Sequence, residues 1–342
     1  MKNAVRIMQI AFTYIGTVVG AGFATGQEIL QFFTQYGKWA TLTIILSTIL
    51  FIWLGTKMMI ISRKIRAKSY EDLNKHLFGH KSGGYISIVM LFILIGVNSI
   101  MLAGAGSVFV QHLNLHYQTG LILTVVASYF LLNRGMNSIM YMNSIVVPMM
   151  LTLSLLIISN TWQMPNADRF LTLATDRNLA MAWLSPILYT AFNLVMAQAV
   201  LVPLGSHTES ITAIKWGGIL GGLGVGFMLM AAHFAMSANM PGIMQYEIPM
   251  GSIAFQLGVV VQMIYVLLIF LEIFTTFVAD VYGVTLQLQQ HFHISPKLIA
   301  IFVMMLCFLF SQFGFSNLLS ILYPLFGFLS LLWVVKLMAV KR

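Results

Sequence analysis

Three stretches of the 342-residue chain bring together residues able to do chemistry. The first runs from Tyr14 to Ile29 (YIGTVVGAGFATGQEI), with Gly16, Gly20, Gly22 and Gly26 in one apolar run and Glu28 just behind them. Glycine costs a helix interior about 1 kcal/mol relative to alanine, so four together predict a break. A break in mid-membrane frees backbone N–H groups and aims the positive end of the next half-helix into the gap, which can hold a carboxylate without a basic side chain. The competing reading, small-xxx-small packing faces at Gly16/Gly20 and Gly22/Gly26, leaves Glu28 unexplained. The second stretch, Leu184 to Gly205 (LSPILYTAFNLVMAQAVLVPLG), sets Tyr189, Thr190, Asn193 and Gln198 between Pro186 and Pro203. Interrupted helices at matching places in two halves of a chain mark a midplane binding site, so a second break is expected here. A proline-kinked helix with hydroxyls bonded to its own backbone is the plainer alternative.

The third stretch, Leu271 to Gly283 (LEIFTTFVADVYG), repeats Glu272, Thr276 and Asp280 every four residues, on one helix face, with Thr275 one step aside. A carboxylate deep in lipid is expensive and marks a functional site by default. Glu272 can neutralise a bound sodium ion or carry a proton; its structural alternative is a neutral acid hydrogen-bonded to a neighbouring helix. Glu28 and Asp280 are candidates for a gate or a proton site. The pairs His76/His80, His112/His116 and His291/His293 have metal-compatible spacing but no convincing cysteine or carboxylate partners, and they read as interface residues. His233 stands alone and reads as a satisfied core histidine. No HExxH, GxSxG or Walker loop occurs, so no enzyme is expected and ATP hydrolysis within the chain is excluded.

The elements that must hold these residues are membrane spans. Hydrophobic residues make up 59% of the chain and charged ones 8%, with mean hydropathy +0.90; a soluble domain carries roughly a quarter charged residues. Runs long enough to cross the hydrocarbon lie near residues 6–33, 39–62, 85–111, 119–133, 138–159, 181–204, 215–238, 253–285, 298–314 and 316–338, about ten helices in all. Strands of a membrane β-barrel would alternate polar and apolar residues instead. Lys2 and Arg6 mimic a secretory leader, but a glycine- and threonine-rich first span running past Gly26 favours an uncleaved helix. With the amino terminus inside, all of the 18 Lys and Arg except Lys38, Arg169 and Arg177 fall on the cytoplasmic side, as the positive-inside rule requires. Both termini are then cytoplasmic in a multi-pass inner-membrane-type protein. The +9 net charge is therefore a topology signal, not a nucleic-acid surface. The single cysteine, Cys307, permits no intrachain disulfide.

Spans in the two halves of the chain correspond at an offset of about 170 residues. Because each half holds an odd number of helices, the halves enter the membrane in opposite senses, the plan of an inverted repeat. Residues 1–342 thus read as a single transmembrane transporter domain, with repeat one about 6–159 and repeat two about 181–338. Span seven (WGGILGGLGVGFML from Trp216) is glycine-dense and predicts close helix packing. The segment 239–252, with two prolines, suits a short capping or re-entrant element.

The motif IGTVVGAGF resembles the G-x-(I/V)-(I/V)-G-(S/A)-G-(I/F) signature in the first helix of the amino acid/polyamine/organocation superfamily, whose members share the LeuT-type fold. Over essentially its full length, through GTVVGAGFATGQE and YTAFNLVMAQAVLVPLG, the chain is similar to bacterial YkvI-type membrane proteins. The resemblance implies an all-α transporter fold of five plus five spans, with the first and sixth interrupted. It also implies that the backbone of Gly20, Ala21 and Gly22 binds a substrate carboxylate and that Phe23, Tyr189, Phe192 and Asn193 line the pocket, where Thr190 adds a hydroxyl. In sodium-coupled members a hydroxyl pair of span eight joins carbonyls of the broken helix around the ion; here these are Thr275 and Thr276 with Gly16 and Val19. Some proton-driven relatives place a lysine in span five, but no lysine occurs between Lys81 and Lys215, so sodium coupling and carboxylate protonation remain. The expected function is cation-coupled symport or exchange of a small amino-acid-like or amine-like solute, with no cofactor, Na+ as a candidate coupling ion, and the solute and the lipid bilayer as partners, the oligomeric state being left open. The alternative is a ligand-sensing receptor or partner subunit on the same scaffold.

Overall fold

Apolar runs with no alternation, separated by glycine and polar punctuation, fold as rods that satisfy every backbone group internally, as lipid demands. The computed structural model describes residues 2–132, 134–246 and 248–340, without the side chains of some of them, Ala21 and His112 among those named above. The His112/His116 pair thus lies outside the described residues. No strand occurs among the described residues.

The first span is built from α1 (Lys2–Val18), α2 (Ala21–Thr25) and α3 (Gln27–Phe32). The second, α4 (Trp39–Leu50) and α5 (Thr56–Ile65), is one rod carrying a π turn at Phe51–Gly55. Its cause is visible: the Tyr14 hydroxyl donates to the Phe51 carbonyl at 2.7 Å, taking the acceptor that the next helical N–H would use. A short helix, α6 (Tyr70–Phe78), capped by Ser69, crosses to α7 (His80–Leu113), α8 (Tyr117–Leu132) and α9 (Met136–Trp162). After α10 (Arg169–Thr172) come α11 (Leu179–Ser206) and α12 (Ile211–Ala238), whose first turns are closed by Asn178 and Ser210. Then follow α13 (Pro249–Gln256), α14 (Val259–Gln289), α15 (Pro296–Ser311) and α16 (Phe315–Ala339). Six rods among the described residues are long and apolar enough to cross a membrane: α4–α5, α7, α9, α11, α12 and α14.

Two expectations need correction. Span six is not interrupted: α11 is helical from Leu179 to Ser206 straight through Pro186 and Pro203. Between the prolines stand Leu, Val, Ala and Met with no glycine, and nearly every side chain there is buried. The loss at each proline, about 3 kcal/mol, is local and packing on all sides holds the rod together. Span eight begins at Val259 rather than near residue 253, because Gly258 at φ 102° turns the chain between α13 and α14.

α1 lies along α12, and α11 lies along α5 and α16. The α12 glycines make the first contact possible: Gly217 faces Ile10, Gly221 faces Tyr14, and a Cβ at either would collide with these side chains. On the outside, Phe92, Phe130, Val260 and Phe302 are exposed, while Asn98, Asn143, Gln198, Glu272 and Asp280 are buried within. That inversion of the soluble pattern suits a bundle whose outer solvent is lipid.

Candidate functional site

The helix stops at Val18 and restarts at Ala21, with Gly20 extended at φ −107°, ψ −166°. Gly26, at φ 87°, then separates α2 from α3. Within α2 the N–H groups of Ala21, Gly22 and Phe23 have no helical acceptor. On the α1 side the freed carbonyls meet α14: the Thr276 hydroxyl lies 3.3 Å from the Gly16 oxygen and 3.2 Å from the Val19 oxygen. One hydroxyl proton is shared between two acceptors, so three oxygens of hard-ligand type lie together at the junction. Thr275, one residue back, instead donates to the Glu272 carbonyl of its own helix at 3.1 Å. Glu272 is fully buried and neither carboxyl oxygen has a hydrogen-bond partner; the bland reading, an acid hydrogen-bonded to a neighbouring helix, is not what the structure shows. Next to Gly16, the Asn143 amide of α9 fills the space that a Cβ would take.

Directly beside this junction is a cavity of about 20 Å3 lined by Gly20, Glu28, Phe192, Asn193, Thr276 and Asp280 of the expected set. Thr17, Val18, Val97, Met101 and Met196 complete it. Such a volume admits about one water. The Glu28 carboxyl packs on Gly22, where a side chain would displace it, and lies beside the Tyr189 hydroxyl. Asn193 donates to the Tyr189 carbonyl at 3.0 Å, within its own helix.

Not every expected lining residue meets this cavity. Tyr189 sits among the rings of Phe32, Phe33 and Phe51, at 5.4, 5.0 and 6.1 Å. Phe23 faces a second small cavity with Met150, Met250 and Tyr265, where the Tyr265 hydroxyl donates to the Ala24 carbonyl at 2.7 Å. Thr190 is buried with its hydroxyl unpartnered. A larger cavity, about 240 Å3, opens between α8, α14 and α15 near Tyr129, Tyr282 and Lys297, away from the break.

Asn98, Met101, Asn143 and Met196 went unremarked in the sequence; amides in apolar spans three and five were the available signal, whereas methionine gives none. His233 meets Thr34, Thr41 and Ser237 at 3.1–3.3 Å, a satisfied core histidine as expected. His291 has an unforeseen partner, the Glu71 carboxylate of α6 at 2.6 Å, which Lys75 also meets at 2.6 Å. Burial pushes the Glu71 carboxyl up, but the hydrogen bonds from Lys75 and His291 outweigh it and hold the group below its usual 4.5. No cluster of three metal-ligating side chains occurs among the described residues.

No family model matches the chain. It is 39% identical over 341 residues to the membrane protein YkvI of Bacillus subtilis, covering 97% of this chain and 95% of that one. To the protein YyaD of the same organism it is 28% identical over 324 residues, covering 95% and 94%. Among solved structures it resembles MhsT in complex with L-phenylalanine, at TM-score 0.69 and 17% identity over 94% of this chain and 87% of that one. It also resembles a Na+-coupled sialic acid symporter, at TM-score 0.70 and 14% identity over 97% and 79%. A manganese transporter of Eremococcus coleocola matches at TM-score 0.60 and 13% identity, over 97% and 77%. These likenesses show the LeuT-type fold that the first-span motif implied.

Proposed function

From its membership of the YkvI family of membrane proteins, and from the junction of α1 with α14, we propose that the chain is a cation-coupled secondary transporter of a small amino-acid-like or amine-like solute. The observation that carries this reading is Thr276 set between the carbonyls of Gly16 and Val19. Carbonyls at a helix end lack a partner in their own helix; here two of them share a foreign hydroxyl, a donor set suited to Na+. Glu272, one turn away on α14, supplies negative charge to a sodium ion or carries the proton in its place. The hydroxyl of Thr275 completes the shell if it turns from its own helix. The solute occupies the cavity beside Gly20, with the α2 backbone of Gly20, Ala21 and Gly22 facing it and Phe192 and Asn193 of α11 opposite. Phe23, Tyr189 and Thr190 join the lining only as the site opens.

The repeat plan is part of the proposal. Span one packs on span seven, as span six packs on span two, the exchange of neighbours expected when two five-span units are related by a pseudo-twofold axis in the membrane plane. Rocking of one set against the other exposes the cavity alternately to each side, with both termini cytoplasmic.

Uptake into proteoliposomes tests the reading. Imposed sodium or proton gradients should drive accumulation of at least one member of an amino-acid and amine panel. No accumulation under either gradient sinks it, and ligand binding without flux assigns the scaffold to a sensing role instead.

A further inference from the structure

The cavity of about 240 Å3 lies where four helices end. Tyr129 and Leu132 belong to the last turn of α8, Gly135 precedes α9, Gln289 closes α14, and Lys297 stands in the first turn of α15. Helix ends gathered on one side of a bundle mark the depth of the lipid headgroups, where hydrocarbon gives way to water. Two residues past Gln289, His291 meets Glu71 of α6. This is therefore the end that carries the basic connection with Arg63, Lys64, Arg66 and Lys68, the cytoplasmic end by the positive-inside rule. The space far exceeds what a water needs, and it borders lipid-facing surface: Val126, one turn from Tyr129 on α8, and Ile301, one turn from Lys297 on α15, are 49% and 39% exposed.

The lining is unbalanced in charge. It includes the Lys297 ammonium and the Gln289 amide, both exposed, but no aspartate or glutamate. Lys297 makes no ion pair among the described residues. Arg134, also exposed, immediately precedes the lining Gly135. Tyr282 is a fixed wall, its hydroxyl hydrogen-bonded to the backbone of Met136, and Leu132 and Ala300 add apolar surface. A lysine that only sets topology reaches past the hydrocarbon into water. Lys297 instead borders a void walled by tyrosine and leucine, a shape and chemistry matched by a molecule with an anionic head and an apolar body. Basic pockets between spans at the cytoplasmic face hold such headgroups. We propose that this cavity is a site for an anionic phospholipid, its phosphodiester paired with Lys297 and its acyl chains lying along the outward faces of α8 and α15. A free phosphate shares the headgroup chemistry but leaves Leu132, Ala300 and the apolar faces uncovered. The inference is separate from the transport reading and stands or falls without it.

Native mass spectrometry of the full-length protein in detergent tests this by measuring stepwise lipid binding, with dioleoylphosphatidylglycerol, dioleoylphosphatidylcholine and inorganic phosphate as probes. The first phosphatidylglycerol should bind roughly tenfold more tightly than the first phosphatidylcholine, and inorganic phosphate at the same concentration should not displace it. Lys297→Gln should weaken that first step about fivefold, the worth of one basic residue at an anionic surface. Lys215→Gln, at an exposed position of α12 outside the cavity, should leave it unchanged. Ala300→Leu narrows the cavity without altering charge and should weaken the step as well; if one of the two cavity variants fails to fold, the other decides. Equal first-step affinity for the two lipids, equal losses at Lys297 and Lys215, full affinity in a folded cavity variant, or displacement by phosphate overturns the inference and leaves the transport reading untouched.

Discussion

A threonine hydroxyl normally settles on the carbonyl one turn back, as Thr17 does on Thr13 at 2.6 Å and Thr285 on Val281 at 2.7 Å. Thr276 does not; it leaves its own helix for α1. If a cation belongs at that junction, Thr276→Val deletes one ligand of a charged guest, worth about 1.5–3 kcal/mol, or roughly a ten- to hundredfold rise in half-saturating sodium. Thermal stabilisation of the purified protein against sodium concentration measures it, and an unshifted curve removes Thr276 from the ion site. Glu272 is a sharper case because both of its oxygens are buried without a partner. Glu272→Gln keeps the shape but cannot exchange a proton, so proton-driven uptake should vanish and sodium-driven uptake only weaken. Equal uptake by variant and parent under both gradients would strip Glu272 of a coupling role.

Between elements, close approach and tethering do the positioning. The broken span is held where it is by α12, whose Gly221 lets the Tyr14 ring lie against its backbone. Gly221→Val therefore overpacks the contact that aligns Gly16 and Val19 with Thr276, at about 1–3 kcal/mol, and should lower the melting temperature in detergent. Gly84→Ala is the control, since nothing lies within 4 Å of a Cβ there; an equal loss in both would mean that the α1–α12 contact is not special. At the other end of α14, α6 is bound by several hands: His291 and Lys75 on Glu71, Gln290 on Asp72 at 3.1 Å, and the Trp333 indole on Asn74 at 2.7 Å. Glu71 has its folded pKa below its ordinary 4.5. The depressed value means that its contribution is complete above 4.5 and is lost as the pH falls through the folded value, when the carboxylate takes a proton. Amide exchange across 70–78, corrected for its intrinsic pH dependence, should accelerate below that point, and Glu71→Gln should be fast throughout. A flat corrected profile in the parent would show that these ion pairs do not hold α6.

At the scale of the whole molecule the notable fact is tight packing about the site: the cavity admits about one water, and its acids Glu28 and Asp280 are buried. Transport by alternating access requires this packing to open on one side at a time. Because Cys307 is the single cysteine and is buried, an Asn193→Cys substitution in a Cys307→Ser background gives a clean reporter. A membrane-impermeant thiol reagent should label it slowly in this packed state and several-fold faster once a driving gradient is applied; gradient-independent labelling would argue against gating at the cavity. Much of the molecule was legible along the chain. Hydropathy drew the rods because lipid leaves a backbone no other choice, and four glycines within eleven residues announced the gap at Val19–Gly20, since backbone freedom is a local property. Proline misled at span six, because whether a missing N–H breaks a helix is decided by neighbours, and α11 has them on every side. Tyr189 and Phe23 were named as lining but turn elsewhere, as side-chain direction near a break depends on what packs beyond it. Glu71 and His291 stand far apart in sequence and meet only because α6 folds back on α14. Composition and spacing determined the solvent, the rods and the weak point in the first of them. Only the packing of non-consecutive helices decided which oxygens share Thr276 and which acids face the cavity, because distances between separate rods are written in no single stretch of chain.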